Sequence, residues 1–406
     1  MKVEVVVFFL LFLVVFSLML QDMVPQRCLW VLLAVVGLNP YFWNLKDSVI
    51  SDIPFLFGVY LTLFVIHWVY RSGHFKNRPV ITALLVGLLV YFSYGIRSIG
   101  LVLIPSILLY EVLLYKKLSL FAVMATIISV LLIVLHNVFF HSDTDYLALL
   151  TFSPRIIFVN LFWYSKSFVD LWDNGYNRPL AYILFLSVSI FAFIGYLTRV
   201  KSSPALSEIF CFVYIPTILL FGGYQGIRYM LPVVPLYMYY AFIGIQNVPL
   251  RNGTRNMVFI VLLISISTSY IGKYAAVGFG PIVEGIGKRE TIALFDYIRK
   301  KTDQKDIFVF QKPRALALYT NRSASVYHQV KEDTELLSYF KDIHATYVIV
   351  GRIFNDEDDD RHFLIPFVER HPEHFEEVYL NSDFTVYKIR ENTPIDPNRS
   401  EDIPVP

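Results

Sequence analysis

The sequence predicts a polytopic α-helical membrane domain followed by a small α/β domain. Three observations carry that expectation. The 406 residues are 56% hydrophobic and only 17% charged, whereas soluble domains carry about 25% charged residues; the mean hydropathy is +0.54. The charge is unevenly placed: residues 1–280 hold 18 Lys/Arg and 10 Asp/Glu, and residues 281–406 hold 17 and 23. The pattern also changes near residue 280, from long apolar runs to short alternating elements. The expected organisation is a membrane domain over 1–280, an extracytoplasmic α/β domain over 281–390 and a disordered tail over 391–406. That tail holds four prolines and little that can pack. The overall charge of +2 sums two unlike parts and says little about partners.

A helix needs about 17–25 apolar residues to cross the hydrocarbon layer. Ten runs qualify or come close: 4–20, 29–42, 54–70, 80–94, 98–115, 118–139, 179–197, 207–221, 229–246 and 256–272. The runs 29–42 and 80–94 are short enough to be re-entrant. The first run has no small-residue cleavage site after it, so it reads as a membrane helix and not as a removed signal. Arg71, Lys76 and Arg78 share one loop, Lys116 and Lys117 a second, Arg199 and Lys201 a third, Arg251 and Arg255 a fourth. The positive-inside bias makes all four cytoplasmic. Residues 43–53, 95–97, 140–178, 222–228 and everything after 272 then face outward. The start of the chain also falls outside, which implies a further outward-going helix upstream of residue 4. In the outer loop 140–178, Phe158, Phe162, Trp163, Tyr164, Phe168 and Trp172 stand among Arg155, Lys166, Asp170 and Asp173. That mixture suits a helix on the headgroup layer.

The polar tail alternates helices and strands, which predicts an α/β domain. Helices are expected at 289–301, 313–319, 334–340 and 363–371. Strands are expected at 306–310, 325–327 and 346–350, with a terminal hairpin 375–380/384–389 around Asn381, Ser382 and Asp383. Neither phosphate-loop pattern, GxGxxG or GxxxxGK[ST], occurs. The acidic run 356–360 reads as a solvated turn. The two cysteines, Cys28 and Cys211, lie in apolar segments and make a disulfide framework or Cys-based metal site an unsupported reading. Basic residues are not interleaved with aromatics in a patch, and the soluble part is acidic, which argues against nucleic acid.

Ionisable residues beside a membrane domain are functional candidates, because burying them is costly. They gather at the expected outer edge. Asp47 and Asp52 lie in one outer loop; Asp52 precedes a helix that Pro54 can open, so a helix cap is the plain reading of it. Arg97 and Arg228 are each the lone base of an outer turn. A guanidinium holds phosphate oxygens with two prongs, so the two together are a candidate seat for an anionic lipid phosphate, against snorkelling to the headgroups as the plain reading. Lys312 and Arg314, around Pro313, are secondary anion candidates. Glu111 reads as facing the cytoplasmic boundary, and His136 with His141 is too little for a metal site.

In sum these stretches resemble the polytopic lipid-linked-sugar glycosyltransferases of the GT-C fold, the class that includes protein O-mannosyltransferases and aminoarabinose transferases. Asn39-Pro40 followed by Ser51-Asp52-Ile53-Pro54 carries the likeness, as do Gly87-Leu88-Leu89 followed by Arg97 and Gly100, and Arg228-Tyr229-Met230-Leu231-Pro232-Val233-Val234-Pro235. The tail stretches 307–310 and 312–322 resemble the extracytoplasmic domain often attached to such enzymes. The resemblance implies transfer of a sugar from a polyprenyl-phosphate donor to a protein, lipid or glycan acceptor on the outer face of the cell membrane. It implies Arg97 and Arg228 on the donor phosphate, and Asp52 with Asp47 as acceptor-side or supporting carboxylates. Members differ in divalent-metal use, so a metal stays open and no residue is assigned to one. In the family an acidic residue in the first outer loop, after the first span, serves the acceptor. Nothing before residue 4 supplies that loop here, so the alternative reading is a truncated or inactive relative acting as a membrane binding or scaffold protein. A transporter of a lipid-linked substrate is the other reading; it favours repeated halves with broken helices, and no clear repeat is visible.

Overall fold

The computed structural model describes residues 2–45, 51–139, 150–202, 204–222, 226–276, 285–327, 330, 333–352 and 360–390. The chain divides into two compact units, Met1–Gly278 and Phe279–Pro406.

The first unit is helical. In chain order it holds α1 Lys2–Leu20, α2 Gln26–Gly37, α3 Pro40–Asn44, α4 Asp52–Ser72, α5 His74–Asn77 and α6 Pro79–Ile96. A 3-10 turn, Ser98–Val102, leads into α7 Leu103–Tyr115; α8 Leu120–Phe139, α9 Pro154–Asp170, α10 Arg178–Ser202 and α11 Leu206–Leu219 follow. A second 3-10 turn, Gly226–Met230, precedes α12 Val234–Asn247 and α13 Asn252–Ala276. Seven segments among the described residues are long and apolar enough to cross a membrane: α1, α4, α6, α8, α10, α13, and the Ser98–Tyr115 turn with α7.

Ten spans were expected, with 29–42 and 80–94 short enough to be re-entrant; 80–94 lies within the 18-residue α6, long enough to span, whereas 29–42 and two further runs are shorter than a full span. The run 29–42 breaks where Asn39 caps α3: its side chain accepts from Tyr41 N at 2.9 Å, and Pro40 opens the new helix. The runs 207–221 and 229–246 reduce to α11 and α12, of 14 residues each. At 1.5 Å per residue each spans about 21 Å, against a hydrocarbon layer of about 30 Å. Backbone that stops at such depth survives only when protein surrounds it, and α12 is buried along nearly its whole length. By contrast α1, α8, α10 and α13 each present a row of exposed large apolar side chains, such as Leu10, Val14, Leu131, Ile183, Phe193 and Ile264. Charged faces would stand there in a soluble bundle; apolar ones suit lipid.

Side-chain contacts fix the helix directions. Phe8 meets Phe57, and Asp22 pairs with Arg71, so α1 and α4 run parallel. Tyr91 and Tyr94 reach His136 and Asn137, so α6 and α8 run parallel. The tightest approach is between α10 and α12, where Gly195 and Gly244 lie against the backbone of the other helix. Tyr70 at the end of α4 touches Tyr115 at the end of α7 and donates to Glu111 at 2.6 Å. The loops of Arg71 and Lys116 therefore share one end of the bundle, and Ser51, Arg97 and Arg228 stand at the opposite end. Glu111 is buried and also accepts from Ser119 N and Oγ at 2.6 and 2.5 Å, so it caps the approach to α8.

The helix expected in the outer loop is α9. Its Tyr164 and Phe168 are buried, whereas Phe158, Phe162 and Trp163 are exposed.

The second unit is a five-stranded sheet, order β2-β1-β3-β5-β4. Its strands are β1 Ile307–Val309, β2 Ser323–Ser325, β3 Tyr347–Gly351, β4 Phe375–Leu380 and β5 Phe384–Ile389. Helices α14 Arg289–Lys301, α15 Pro313–Thr320, α16 Asp333–Asp342 and α17 Ile365–Arg370 accompany them. β1 is parallel to β2 and β3; β5 is antiparallel to β3 and β4. Leu294, Ile298 and Leu316 of α14 and α15 pack with Phe308 and Ile349 in one core, and Leu336, Phe340 and Phe367 of α16 and α17 with Val309 and Val348 in the other. The strand expected at 325–327 lies two residues earlier, because Asn321 ends α15 in the left-handed region and β2 starts at once. The acidic run is no solvated turn at its end: Asp360 is buried and accepts from Tyr327 Oη at 2.5 Å and Gly351 N at 2.7 Å. Its other members, and the tail 391–406, lie outside the described residues.

Candidate active site

Asp52 is the first residue of α4, with Ser51 at the N-cap. Its side chain is fully buried, and the plain cap reading gives way to an ion-pair cluster. Arg228 reaches Asp52 Oδ2 with Nε at 3.2 Å and Nη2 at 2.9 Å. Arg97 Nη1 lies 2.9 Å from the other oxygen, Oδ1. The Arg97 approach is close in distance but lacks hydrogen-bond alignment, leaving Oδ1 without a directed donor. The Arg228 bond is the better-made of the two. The side chains of Asp52, Arg97 and Arg228 are 0%, 13% and 35% exposed, so the cluster opens toward Arg228.

Local structure sets each arginine. Arg97 caps the end of α6 in extended backbone before the 3-10 turn. That turn folds back onto α6 so closely that a Cβ on Gly100 would stand 2.7 Å from the Ser93 carbonyl carbon. Arg97 Nε donates to Ser51 Oγ at 3.3 Å, and its Cζ lies 5.1 Å from the ring centre of Tyr229. Arg228 and Tyr229 belong to the second 3-10 turn, which Tyr214 holds by donating to Tyr229 O at 2.6 Å. Tyr60, two turns along α4 from Asp52, donates to Pro232 O at 3.0 Å and ties the two segments again.

Two guanidinium groups against one carboxylate leave a formal charge of +1 at the bundle end. Arginine keeps its charge and its fork geometry in such a place. The arrangement can hold an anion with oxygens to spare for two donors.

Of the residues singled out in the sequence, Asp52, Arg97 and Arg228 come together. Asp47 lies outside the described residues. Lys312 and Arg314 are exposed at the start of α15 in the second unit. His141 is also outside the described residues, and His136 Nδ1 sits 3.2 Å from Tyr91 Oη. No group of three or more His, Cys, Asp or Glu among the described residues is placed to hold a metal ion. Sequence reasoning passed over Ser51 and Tyr229 as partners of Arg97; both sit beside a flagged residue, but only the fold joins them.

No protein-family model matches the sequence, and no curated protein matches it. The fold does match solved structures. The crystal structure of ArnT from Cupriavidus metallidurans bound to undecaprenyl phosphate superposes with a TM-score of 0.52 at 12% identity, over 95% of this chain and 83% of that one. The apo structure of the same protein gives 0.51 at 12% identity, with the same coverage. The chain therefore has the fold of ArnT, and its long apolar helices make it a multi-pass membrane protein. At this identity the likeness establishes the fold and leaves the chemistry to the site.

Proposed function

We propose that this protein transfers a sugar from a polyprenyl-phosphate carrier to an acceptor at the outer face of the cell membrane. The observation that carries the reading is the buried Asp52 between Arg97 and Arg228, a net positive cluster at one end of a bundle with the ArnT fold. The ArnT structure holding undecaprenyl phosphate supports a lipid phosphate as the anion.

In the proposed step an acceptor oxygen or nitrogen attacks the anomeric carbon, the bond from that carbon to the phosphate oxygen breaks, and the phosphate leaves with the electron pair. Negative charge grows on the leaving phosphate, and fixed guanidinium groups stabilise it. Arg228 and Arg97 take that role. Asp52 orients both and limits their repulsion, as a positioning residue; the acceptor's proton goes to a separate base, for which Asp47 is the candidate in sequence. Lys312 and Arg314 stay secondary anion candidates. The basic loops around Arg71, Lys116, Arg199 and Arg251 would face the cytoplasm, with residues 281–390 on the other side.

The test is transfer of labelled sugar from a polyprenyl-phosphate donor in reconstituted vesicles. Replacing one stabilising donor typically costs about 10²–10³ in rate, so Arg228→Gln and Arg97→Gln should each lose transfer on that scale. Full transfer by either variant would overturn the role of these arginines; no transfer by the wild-type protein with any polyprenyl-phosphate sugar would overturn the reaction.

A further inference from the structure

The turn that carries Arg228 follows the end of α11, and α9 holds that end. A helix leaves its last carbonyls without partners inside the helix. α11 stops at Leu219, and Leu220 N and Phe221 N still bond back to Pro216 O and Ile218 O at 3.1 and 3.2 Å. The next three carbonyls all turn to α9 and the strand before it. Asn160 Nδ2 donates to Leu219 O at 2.9 Å and to Phe221 O at 2.8 Å. Thr151 N donates to Leu220 O at 2.9 Å, beside an antiparallel bridge between Leu150 and Phe221.

Asn160 shares the buried face of α9 with Tyr164, Ser167 and Phe168, as steps of three and four residues along a helix require. A buried amide is costly unless its polar atoms find partners. Here one amide nitrogen satisfies two carbonyls that the end of α11 would otherwise strand.

The held segment leads into the arginine cluster. The Phe221 ring meets the Tyr229 ring edge-on, with centroids 5.4 Å apart and planes at 83°. Tyr229 follows Arg228 in the chain, and Arg97 Cζ lies 5.1 Å from its ring centre. Tyr214, also of α11, donates to Tyr229 O at 2.6 Å. Phe221 and Tyr214 thus root the Arg228 turn in the second half of α11 and its exit. A shift of that end carries Tyr229 and Arg228 with it, while Asp52 stays on α4.

We infer that Asn160 is a positioning residue for the donor-phosphate site. It fixes the exit of α11, and through the contact of Phe221 with Tyr229 it sets where Arg228 and Arg97 stand. This rests on the transferase reading of the arginine cluster.

The test measures undecaprenyl phosphate binding by the purified full chain together with its thermal midpoint. Asn160→Leu keeps the shape of the side chain and loses both donated bonds. Its affinity should fall about tenfold, the scale of one displaced charge-assisted contact. Combined with Arg228→Gln, the loss should be smaller than the product of the two single losses, because both changes act on the same contact. Asn39→Ala is the control. It also removes a buried amide, one that donates to Tyr270 Oη on α13 at 2.8 Å. It should lower the midpoint and leave the affinity at the wild-type level. Phe221→Leu cuts the ring contact and spares both Asn160 bonds; it should weaken binding in the same way, and it carries the test if Asn160→Leu does not fold. Wild-type affinity in Asn160→Leu or Phe221→Leu, losses that multiply with Arg228→Gln, or an equal loss in Asn39→Ala would each overturn the assignment. If Arg228→Gln itself binds as the wild type does, the transferase reading of the cluster fails and this inference fails with it.

Discussion

Arg228 grips Asp52 through two nitrogens on a single carboxylate oxygen, across 176 residues of sequence. The grip joins the start of α4 to the turn before α12, and Arg97 closes it from the other oxygen. Removing one partner of a buried ion pair is costly because the other charge stays behind. Asp52→Asn leaves two arginines facing a neutral amide. Arg228 is a third exposed, and solvent screens part of that cost. The expected loss is about 2–3 kcal/mol, at or below the usual range for buried pairs. It is read as a lowered thermal midpoint in detergent; an unchanged midpoint contradicts the cluster.

Arg228→Lys tests geometry apart from charge. Lysine keeps the positive charge and loses the fork. If the second prong matters, this variant should behave closer to Arg228→Gln than to wild type in donor binding. Wild-type affinity in Arg228→Lys would mean that a point charge suffices.

The closest helix crossing rests on two glycines. A Cβ on Gly195 would lie 1.9 Å from Tyr240 O, and one on Gly244 would lie 1.9 Å from Phe191 O. Both obstacles are backbone, so no side chain can turn aside. Membrane helices rely on such small residues for close packing. Gly195→Ala or Gly244→Ala should cost at least about 2 kcal/mol through overpacking and lower the thermal midpoint; a variant as stable as wild type would show that α10 and α12 separate easily.

Asp333 makes the second unit sensitive to acid. Burial pushes its carboxyl up, but the paired bonds from Arg370 at 2.8 Å and the contact with His371 outweigh that, and the net shift is downward. A depressed carboxyl pKa contributes stability above the unfolded value, about 3.9, and loses it as pH falls through the lower folded value. Protection from hydrogen exchange in α16, taken relative to the intrinsic rate at each pH, should therefore fall below about pH 4, and Asp333→Asn should be less protected at pH 6 and show a flatter dependence on acid. The same profile for both proteins would contradict this account.

Much of the second unit was legible in sequence because its signals are local. The β-branched run in β3, Pro313 at the start of α15 and the Asn381 turn each announce their element. The membrane unit was legible in hydropathy and less so in length. Asn39-Pro40 is a cap followed by a first-turn proline, a break that an averaged apolar run hides. The 3-10 turns at Ser98–Val102 and Gly226–Met230 carry no strong local signal and depend on the close backbone approach at Gly100 and the bond from Tyr214. Asp52, Arg97 and Arg228 could each be picked out as costly charges near lipid. Their pairing could not, because it depends on how α4, α6 and the turn before α12 meet.

The most direct measurement is binding of undecaprenyl phosphate to the purified full chain, compared with Arg97→Gln and Arg228→Gln at matched ionic strength. The account predicts saturable binding by wild type, weakened about tenfold or more by each substitution as a charge-assisted contact is lost. Equal affinity in all three proteins would contradict it, because the lipid phosphate would then be held somewhere other than the cluster built around Asp52.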